Sequence, residues 1–387
     1  MGIDGGGAVE GVAVYQSKPS WGARFLPSKL YSAKDDKVVI RKGTSEEIQS
    51  RKMDTTAKRH PNALSVGGGF GSGDDAALQE QRLLAVEVVK QVGMNVLRGK
   101  DLLYVTFPIK TAEPRTALQK FALSCAYAPD LLSAAAKSTD PLQRFKYVIA
   151  FYVGGMHTTS GIKKPLNPIL GETLVASLDE NTTLYMEQTS HHPPVSNWQL
   201  RGDGYEYWGY MTYQAKLGFN EVRLLHHGER QIDFDDGTSI SFNNPYDTFS
   251  GVLWGSFVHV TLGSVEFVDK KNGLYCELKF GASRKELSDY CEGIIMKDNE
   301  PVAEVSGSWA SYLDSDGIRY WSWADQEMYK ASPSPTVGVL PSDSSRRADL
   351  IEYTAGNLEA AQERKTELEN RQRNDRKLRK GEAAVSQ

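Results

Sequence analysis

From Glu172 to about Trp323 the chain is a long succession of short β-rich runs broken by turn dipeptides, and this stretch constrains the fold more than any other. Asp236-Gly237, Asn272-Gly273 and Asp316-Gly317 are hairpin signals. Tyr205-Glu206-Tyr207-Trp208, Val222-Arg223-Leu224 and Leu274 to Phe280 fit strands, some with clean two-residue alternation. So many antiparallel strands leave edges that invite pairing, and closing the sheet into a barrel hides them. A large barrel can enclose a ligand cavity. The helix–strand alternation of a dinucleotide fold is missing, and no internal repeat stands out. The expected class is α+β, built on a large antiparallel β-barrel over residues 164–330.

The flanking segments are of other kinds. Residues 1–73 read as a flexible extension, with Gly5-Gly6-Gly7 and a glycine-rich run over 67–73. Neither run continues into the Gly-Lys-Ser/Thr of a phosphate loop. Lys34, Lys37, Arg41 and Lys42 make part of the extension basic, but Asp35, Asp36, Glu46 and Glu47 dilute the charge. A solvated tail is therefore the first reading and a membrane-attracted arm the second.

A helix opens at Asp74 or Asp75, both good N-caps, within a segment 74–103. Leu83, Leu84, Val88, Val89 and Val92 spread apolar surface around much of it. It is either an ordinary core helix or a lid over a greasy pocket, hinged on the glycine run. Residues 104–163 read as a helical layer, with Pro141 at a helix start. Residues 331–387 read as a proline-marked loop followed by a polar helix from about Asn357 to Arg379, its apolar seam limited to Leu358, Ala361 and Leu368.

Composition narrows the classes. With 40% apolar and 24% charged residues, the chain is typical of a soluble globular protein. A net charge of -4 argues against general nucleic-acid binding. Cys125, Cys276 and Cys291 form no CxxC pair, so neither a disulfide frame nor a zinc site is expected, and a reducing cytosol suits them. The longest apolar run is too short to span a bilayer. Neither a secretory signal nor a myristoylation signal is present, so membrane contact is expected to be peripheral.

Three constellations carry chemistry. The first is His191-His192-Pro193-Pro194. The prolines place the pair where a strand leaves its sheet, and there both imidazoles, with ordinary pKa values near 6.5, can turn to one dianionic phosphate. Two surface histidines decorating a turn are an equal reading. Metal binding is disfavoured by the spacing, and nucleophilic catalysis by the lack of a Gly-x-Ser-x-Gly elbow.

The second is Lys163 to Glu172, stiffened by Pro165 and Pro168, in which Lys164, the Asn167 amide and backbone N–H groups suit anion capture. A plain connecting loop is as good a reading. The third is Lys365, Glu369 and Arg373, which share a helix face at four-residue spacing. Taken alone these read as solvent-exposed ion pairs.

Together the three resemble one family. Glu187-Gln188-Thr189-Ser190-His191-His192-Pro193-Pro194 is similar to the fingerprint of the oxysterol-binding protein-related family, with Thr189 in place of the usual valine. Lys164 to Glu172 resembles its Lys-Pro-x-Asn-Pro-x-x-Gly-Glu motif, and Lys365 to Arg373 its C-terminal element. Leu340-Pro341-Ser342-Asp343-Ser344 resembles a further stretch, in the same order.

The resemblance implies a short form with the lipid-binding domain only. It implies a lidded tunnel that carries phosphatidylinositol 4-phosphate, and possibly a sterol, between membranes without covalent chemistry. It places the headgroup at Lys164, Leu166, Asn167, His191, His192, Lys365, Glu369 and Arg373. Tyr152 falls where relatives hold a sterol hydroxyl, whereas Phe151 and Met211 stand where amides are expected, which weakens the sterol expectation. No cofactor or metal is expected. The expected state is a cytosolic monomer, peripheral to intracellular membranes. The alternatives are a phosphoinositide sensor that does not transfer, and a lipid hydrolase.

Overall fold

The computed structural model describes residues 54, 56–65, 67–92, 107–161, 163–281, 287–379 and 381. All of these fall within one unit, 52–387. In chain order its strands are β1 (Phe70–Gly71), β2 (Ala112–Thr116), β3 (Lys164–Leu166), β4 (Thr173–Ser177), β5 (Thr183–His191), β6 (Pro194–Gly202), β7 (Tyr205–Leu217), β8 (Glu221–His227) and β9 (Arg230–Phe234). They continue as β10 (Ser239–Phe242), β11 (Tyr246–Ser250), β12 (Val258–Asp269), β13 (Leu274–Phe280), β14 (Tyr290–Lys297), β15 (Glu300–Ser308), β16 (Tyr312–Ser315), β17 (Ile318–Ser322) and β18 (Ser332–Pro333). The helices are α1 (Asp75–Val92), α2 (Ala117–Ser124), α3 (Ala128–Lys137), α4 (Pro141–Met156), α5 (Ala348–Thr354) and α6 (Leu358–Arg379).

Sixteen strands form one antiparallel sheet running from β17 through β12 and β7 to β4 and β18. The three turn dipeptides close hairpins as expected. Asp236-Gly237 joins β9 to β10, Asn272-Gly273 joins β12 to β13, and Asp316-Gly317 joins β16 to β17. Gly237, Gly273 and Gly317 all take positive φ, as such turns require. On β13 the alternation is complete: Leu274, Cys276, Leu278 and Phe280 are buried, and the residues between them are not.

The sheet forks. The first half of β7 pairs with β9 and its second half with β8. Likewise β12 pairs with β10 at one end and β11 at the other. Strands β8 and β11 pair with each other, and this branch supplies wall to the cavity described below.

In residues 104–163 the described part holds the three helices α2, α3 and α4. Before them a short 3-10 turn over Ile109–Thr111 leads into an extended segment, β2, paired in parallel with β3. Thr116 then caps α2 through a reciprocal capping box with Gln119. Helix α4, capped by Asp140 with Pro141 at its first position, is buried almost throughout. Its rings meet strands far apart in the sheet order: Phe151 on Tyr207 of β7, Phe145 and Tyr152 on Phe267 of β12, Tyr147 on Tyr320 of β17. The helix therefore fills the inside of the curved sheet.

The polar groups of α4 end on hairpin tips. Arg144 Nη1 lies 2.5 Å from Asp236 Oδ2, and Lys146 Nζ lies 2.7 Å from Asp316 Oδ2. The aspartates of two turn signals thus also pin the central helix.

The N-terminal extension needs correction over its described part. Phe70 is buried in the core, and β1 pairs with Val258 and His259 of β12. The amide of His60 donates to the Ala310 carbonyl at 2.8 Å, and Arg59 pairs with buried Asp289 at 2.8 Å. The glycine run is a close-packed seam. A Cβ on Gly69, which has positive φ, would sit 2.4 Å from the His259 carbonyl oxygen. Glycine here admits a neighbouring backbone, a role that composition does not distinguish from a flexible linker. Residues 1–53 lie outside the described residues, so the expectation for them is unchanged.

Helix α1 begins as expected, with Asp74 Oδ1 accepting from the Ala77 amide at 2.9 Å.

Gly155 of α4 approaches α2 so closely that a Cβ would lie 2.3 Å from the Ser124 carbonyl oxygen. Gly155→Ala is expected to lower the unfolding free energy by about 1–3 kcal/mol. Gly67→Ala, which meets nothing within 4 Å, serves as the control. Urea unfolding of the two variants checks the difference.

Candidate functional site

One cavity of about 1610 Å³ collects residues from all three sequence constellations. Lys164, Leu166, Asn167, His191, His192, Lys365, Glu369 and Arg373 line one part of it, and Phe151, Tyr152 and Met211 another. The first part is the mouth: His192 and Asn167 are exposed, and the Arg373 side chain is 56% exposed. The second is interior: Phe151, Tyr152 and Met211 are all buried. The cavity is thus polar where it opens and apolar where it is deep, the distribution an amphiphile requires.

The loop at the mouth is set by a buried charge network. Arg347 lies 3.0 Å from Glu172 and 2.6 Å from Asp349, and both carboxylate side chains are fully buried. The same guanidinium donates to the Asn167 carbonyl at 2.7 Å, and Glu172 accepts from the Ile169 amide at 3.0 Å. Ser344 donates to the second Glu172 oxygen at 2.6 Å. Burial pulls the Arg347 pKa down, but Glu172 and Asp349 overturn that and hold it above its ordinary value. Leu166 is 3% exposed and packs with Ile109, Leu350 and Ala361, tying the loop to α5 and α6. Its part in the site is mainly this anchoring, although it also lines the cavity.

The histidines sit at the tip of the β5–β6 hairpin, where His191 pairs with Pro194. Their rings are 4.6 Å apart and inclined at 75°, and both face the one cavity. A shift in register between Gln188 and Ser190 brackets Thr189, the departure from the family pattern. There Asn197 Nδ2 donates to the Thr189 hydroxyl at 2.6 Å, a bond valine cannot accept.

His191 Nδ1 is buried and has no hydrogen-bond partner among the described residues. Burial, then the neighbouring His192, push the His191 pKa down to about 4, against the Pro168 carbonyl and Glu369. His191 therefore does not start as an ordinary imidazole, as the sequence reading supposed.

On α6 the expected ion pairs form, with Glu369 between two cations: Lys365 Nζ at 2.5 Å and Arg373 Nη2 at 3.2 Å. Lys365 is largely covered, at 11% side-chain exposure, and Arg373 is at the rim. Lys164 Nζ lies over the Phe107 ring, 5.8 Å from its centre. Among the described lining residues, the mouth thus gathers Lys164, Lys365, Arg373 and two imidazoles around the Glu369 carboxylate.

The lid residues fare differently. Leu83 is 71% exposed and does not line the cavity; Leu78 and Gln81 of α1 do. The all-round apolar pattern of α1 did not indicate which side faces inward. The side chains of Leu84, Val88, Val89 and Val92, and residues 93–106, lie outside the described set. Sequence reasoning also missed Arg347, which only its position after the Leu340–Ser344 stretch could have marked. It missed Arg230 and Asp247 on the cavity wall as well, and no local pattern flags these.

Residues 92–387 match the family model described as Oxysterol-binding protein. The chain is 34% identical over 366 residues to "Oxysterol-binding protein 9" of Dictyostelium discoideum, covering 87% of this chain and 83% of that one. It is 30% identical over 322 residues to "Oxysterol-binding protein-related protein 5" of Homo sapiens, covering 78% of this chain but 33% of the relative. Among solved structures it resembles the Osh1 ORD domain in complex with ergosterol, at TM-score 0.66 and 22% identity over 81% of this chain and 91% of that one. It also resembles the Osh3 ORD in complex with PI(4)P from Saccharomyces cerevisiae, at TM-score 0.65 and 22% identity over 85% and 90%. The fold and the mouth define an oxysterol-binding-type domain. The chain belongs to the oxysterol-binding protein family.

Two expectations follow. A native histidine with a depressed pKa leaves its proton to the unfolded chain. The His191 contribution to stability is therefore complete above about pH 6.5 and is lost as pH falls toward 4. A phosphate at the ring raises the pKa, so affinity gained this way grows as pH falls through the bound-state value. The NMR titration of His191 should lie near 4 in the empty protein and move upward when phosphoinositide is added; an unmoved titration removes the phosphate contact. Separately, Arg347→Met strands two buried carboxylates and should cost about 3–5 kcal/mol. Arg223→Ala, which breaks an exposed pair with Glu221, should cost about 1 kcal/mol or less. Denaturant unfolding compares them.

Proposed function

We propose that this protein binds a phosphatidylinositol monophosphate, with the 4-phosphate form as its ligand, and carries it between membranes inside the cavity. The observation that carries the reading is the joining, in one space, of a cationic mouth to a wall of apolar side chains. The headgroup phosphates meet His191, His192 and Arg373, while Lys164, Asn167, Lys365 and Glu369 surround the ring. The acyl chains run past Phe151 and Met211. The Osh3 complex with PI(4)P supports the choice of headgroup, and the Osh1 complex with ergosterol supports a sterol as second occupant. Phe151 and Met211 offer a sterol hydroxyl no hydrogen bond, so sterol is the weaker ligand. No covalent step is needed: exchange alone does the work. A sensor that binds without transfer is separated by following labelled lipid from donor to acceptor vesicles.

The alanine double variant of His191 and His192 should lose about a hundredfold or more in phosphoinositide extraction, since each charge-assisted bond is worth about 1.5–3 kcal/mol. The hairpin tip is partly exposed, so the fold should persist. Extraction from phosphoinositide liposomes, beside a circular dichroism spectrum, checks this. Unchanged extraction by the folded variant contradicts the phosphate reading.

Membrane contact has a surface to use. Phe219 is 77% and Trp254 50% exposed, their rings 5.4 Å apart. Asn220 binds the Trp254 loop, and Arg82 of α1 donates to the Gly251 carbonyl of that loop at 2.9 Å. The aromatic pair is therefore coupled to the helix whose Leu78 and Gln81 line the cavity. Phe219→Ser with Trp254→Ser should reduce vesicle flotation several-fold while leaving thermal stability near that of the parent protein.

A further inference from the structure

The cavity interior holds a cation that the mouth does not explain. Arg230, on β9, is half-buried and lines the cavity. Its guanidinium lies 5.4 Å from the ring centres of Tyr152 and Trp198 and 5.6 Å from that of Phe121. Nε donates to Asn244 Oδ1 at 2.6 Å and Nη1 to the Tyr207 hydroxyl at 2.7 Å. Among the described residues no carboxylate lies within ion-pair distance of it.

A guanidinium carries five N–H donors, and these two bonds use two of them. Burying such a group without an anion is costly. The aromatic rings offset part of that cost, but none of them neutralises the charge.

Among the described residues that line the cavity, the carboxylate away from the mouth is committed elsewhere. Asp247, on β11, is 3.1 Å from the Nε2 atoms of both His226 and His259 and accepts from the Thr261 hydroxyl at 2.7 Å. Burial pushes the Asp247 carboxyl up, but the His259 and His226 contacts overturn this and keep it ionised. Asp247 is thus engaged by the two histidines, and among the described residues it forms no ion pair with Arg230. Around them the wall is apolar, with Met211, Leu224, Phe249 and Phe257.

We propose that the interior is a second polar recognition site, in which Arg230 takes the carboxylate of an acidic apolar lipid, such as a long-chain fatty acid. A carboxylate accepts two parallel N–H bonds from a guanidinium edge, and a monoanion matches the single charge of Arg230. A neutral hydroxyl would leave the charge uncompensated. A phosphate dianion would bring more charge than this site can offset, whereas the mouth gathers several cations. The inference goes beyond the phosphoinositide reading and does not depend on it.

The test uses cis-parinaric acid, a fluorescent fatty acid, against its methyl ester, which keeps the tail and removes the charge. The full chain should bind the acid about tenfold or more tighter than the ester. Arg230→Gln should abolish that preference while leaving ester affinity near the parent value, and Arg230→Lys should retain part of it. A Lys365→Ala, Arg373→Ala variant should keep the preference, because those cations are at the mouth. The preference of the unaltered chain should also survive about 0.5 M sodium chloride, which screens exposed pairs, and this arm holds even if Arg230→Gln fails to fold. Equal binding of acid and ester overturns the proposal. So does a preference that salt removes, or one that follows the mouth cations instead of Arg230.

Discussion

The mouth of the cavity depends on Arg347. Its guanidinium joins Glu172, at the start of β4, to Asp349 of α5 and to the Asn167 carbonyl in the stiff loop between β3 and β4. These groups come from chain segments about 180 residues apart. A buried charge network of this kind is weak evidence for extra stability, because replacing it with apolar residues is often neutral. What it supplies is position. With both carboxylates and the carbonyl fixed, Lys164 and Asn167 face the His191-His192 hairpin across one opening, and α6 is set to bring Lys365 and Glu369 to the same place.

Behind the mouth, the arrangement follows from where the sheet forks and what fills it. Helix α4 occupies the inside of the curve, held by rings on three sides and by Arg144 and Lys146 on the hairpin aspartates. Because Phe145 and Val148 through Gly155 are all buried, the helix has little polar surface there. The space left between α4 and the β8–β11 branch is accordingly greasy, except at Arg230 and at Asp247 with its partners His226, His259 and Thr261. A polar rim and an apolar space behind it are thus products of one packing problem: the helix that completes the core also lines the cavity.

Much of this was legible in the sequence, and the part that was not has physical causes. Turn dipeptides act locally, so Asp236-Gly237, Asn272-Gly273 and Asp316-Gly317 could be placed without a structure. The histidine-proline tip and the Lys365–Arg373 face are also local patterns, and family resemblance ordered them. The resemblance did not reveal that Gly68 to Gly71 is a packed seam, since a glycine needed for close approach looks like one used for flexibility. It did not show that residues 104–163 include a helix inside the sheet, because a fully apolar helix reads alike in a layer or a core. Arg230, Asp247 and Arg347 are single charged residues whose partners are distant in the chain, and periodicity carries no signal for them. Leu83 was counted among the lid residues on the apolar pattern and the family resemblance, and the structure leaves it 71% exposed.

The central claim is that the cavity takes a phosphoinositide whole and returns it unchanged. The direct measurement is mass analysis of lipid recovered from the purified chain after incubation with mixed liposomes that contain phosphatidylinositol 4-phosphate. The account predicts intact phosphatidylinositol 4-phosphate, enriched over the other phospholipids and approaching one molecule per chain. Recovery of bulk phospholipid in proportion to the liposomes, or of a hydrolysed headgroup or free diacylglycerol, would contradict it.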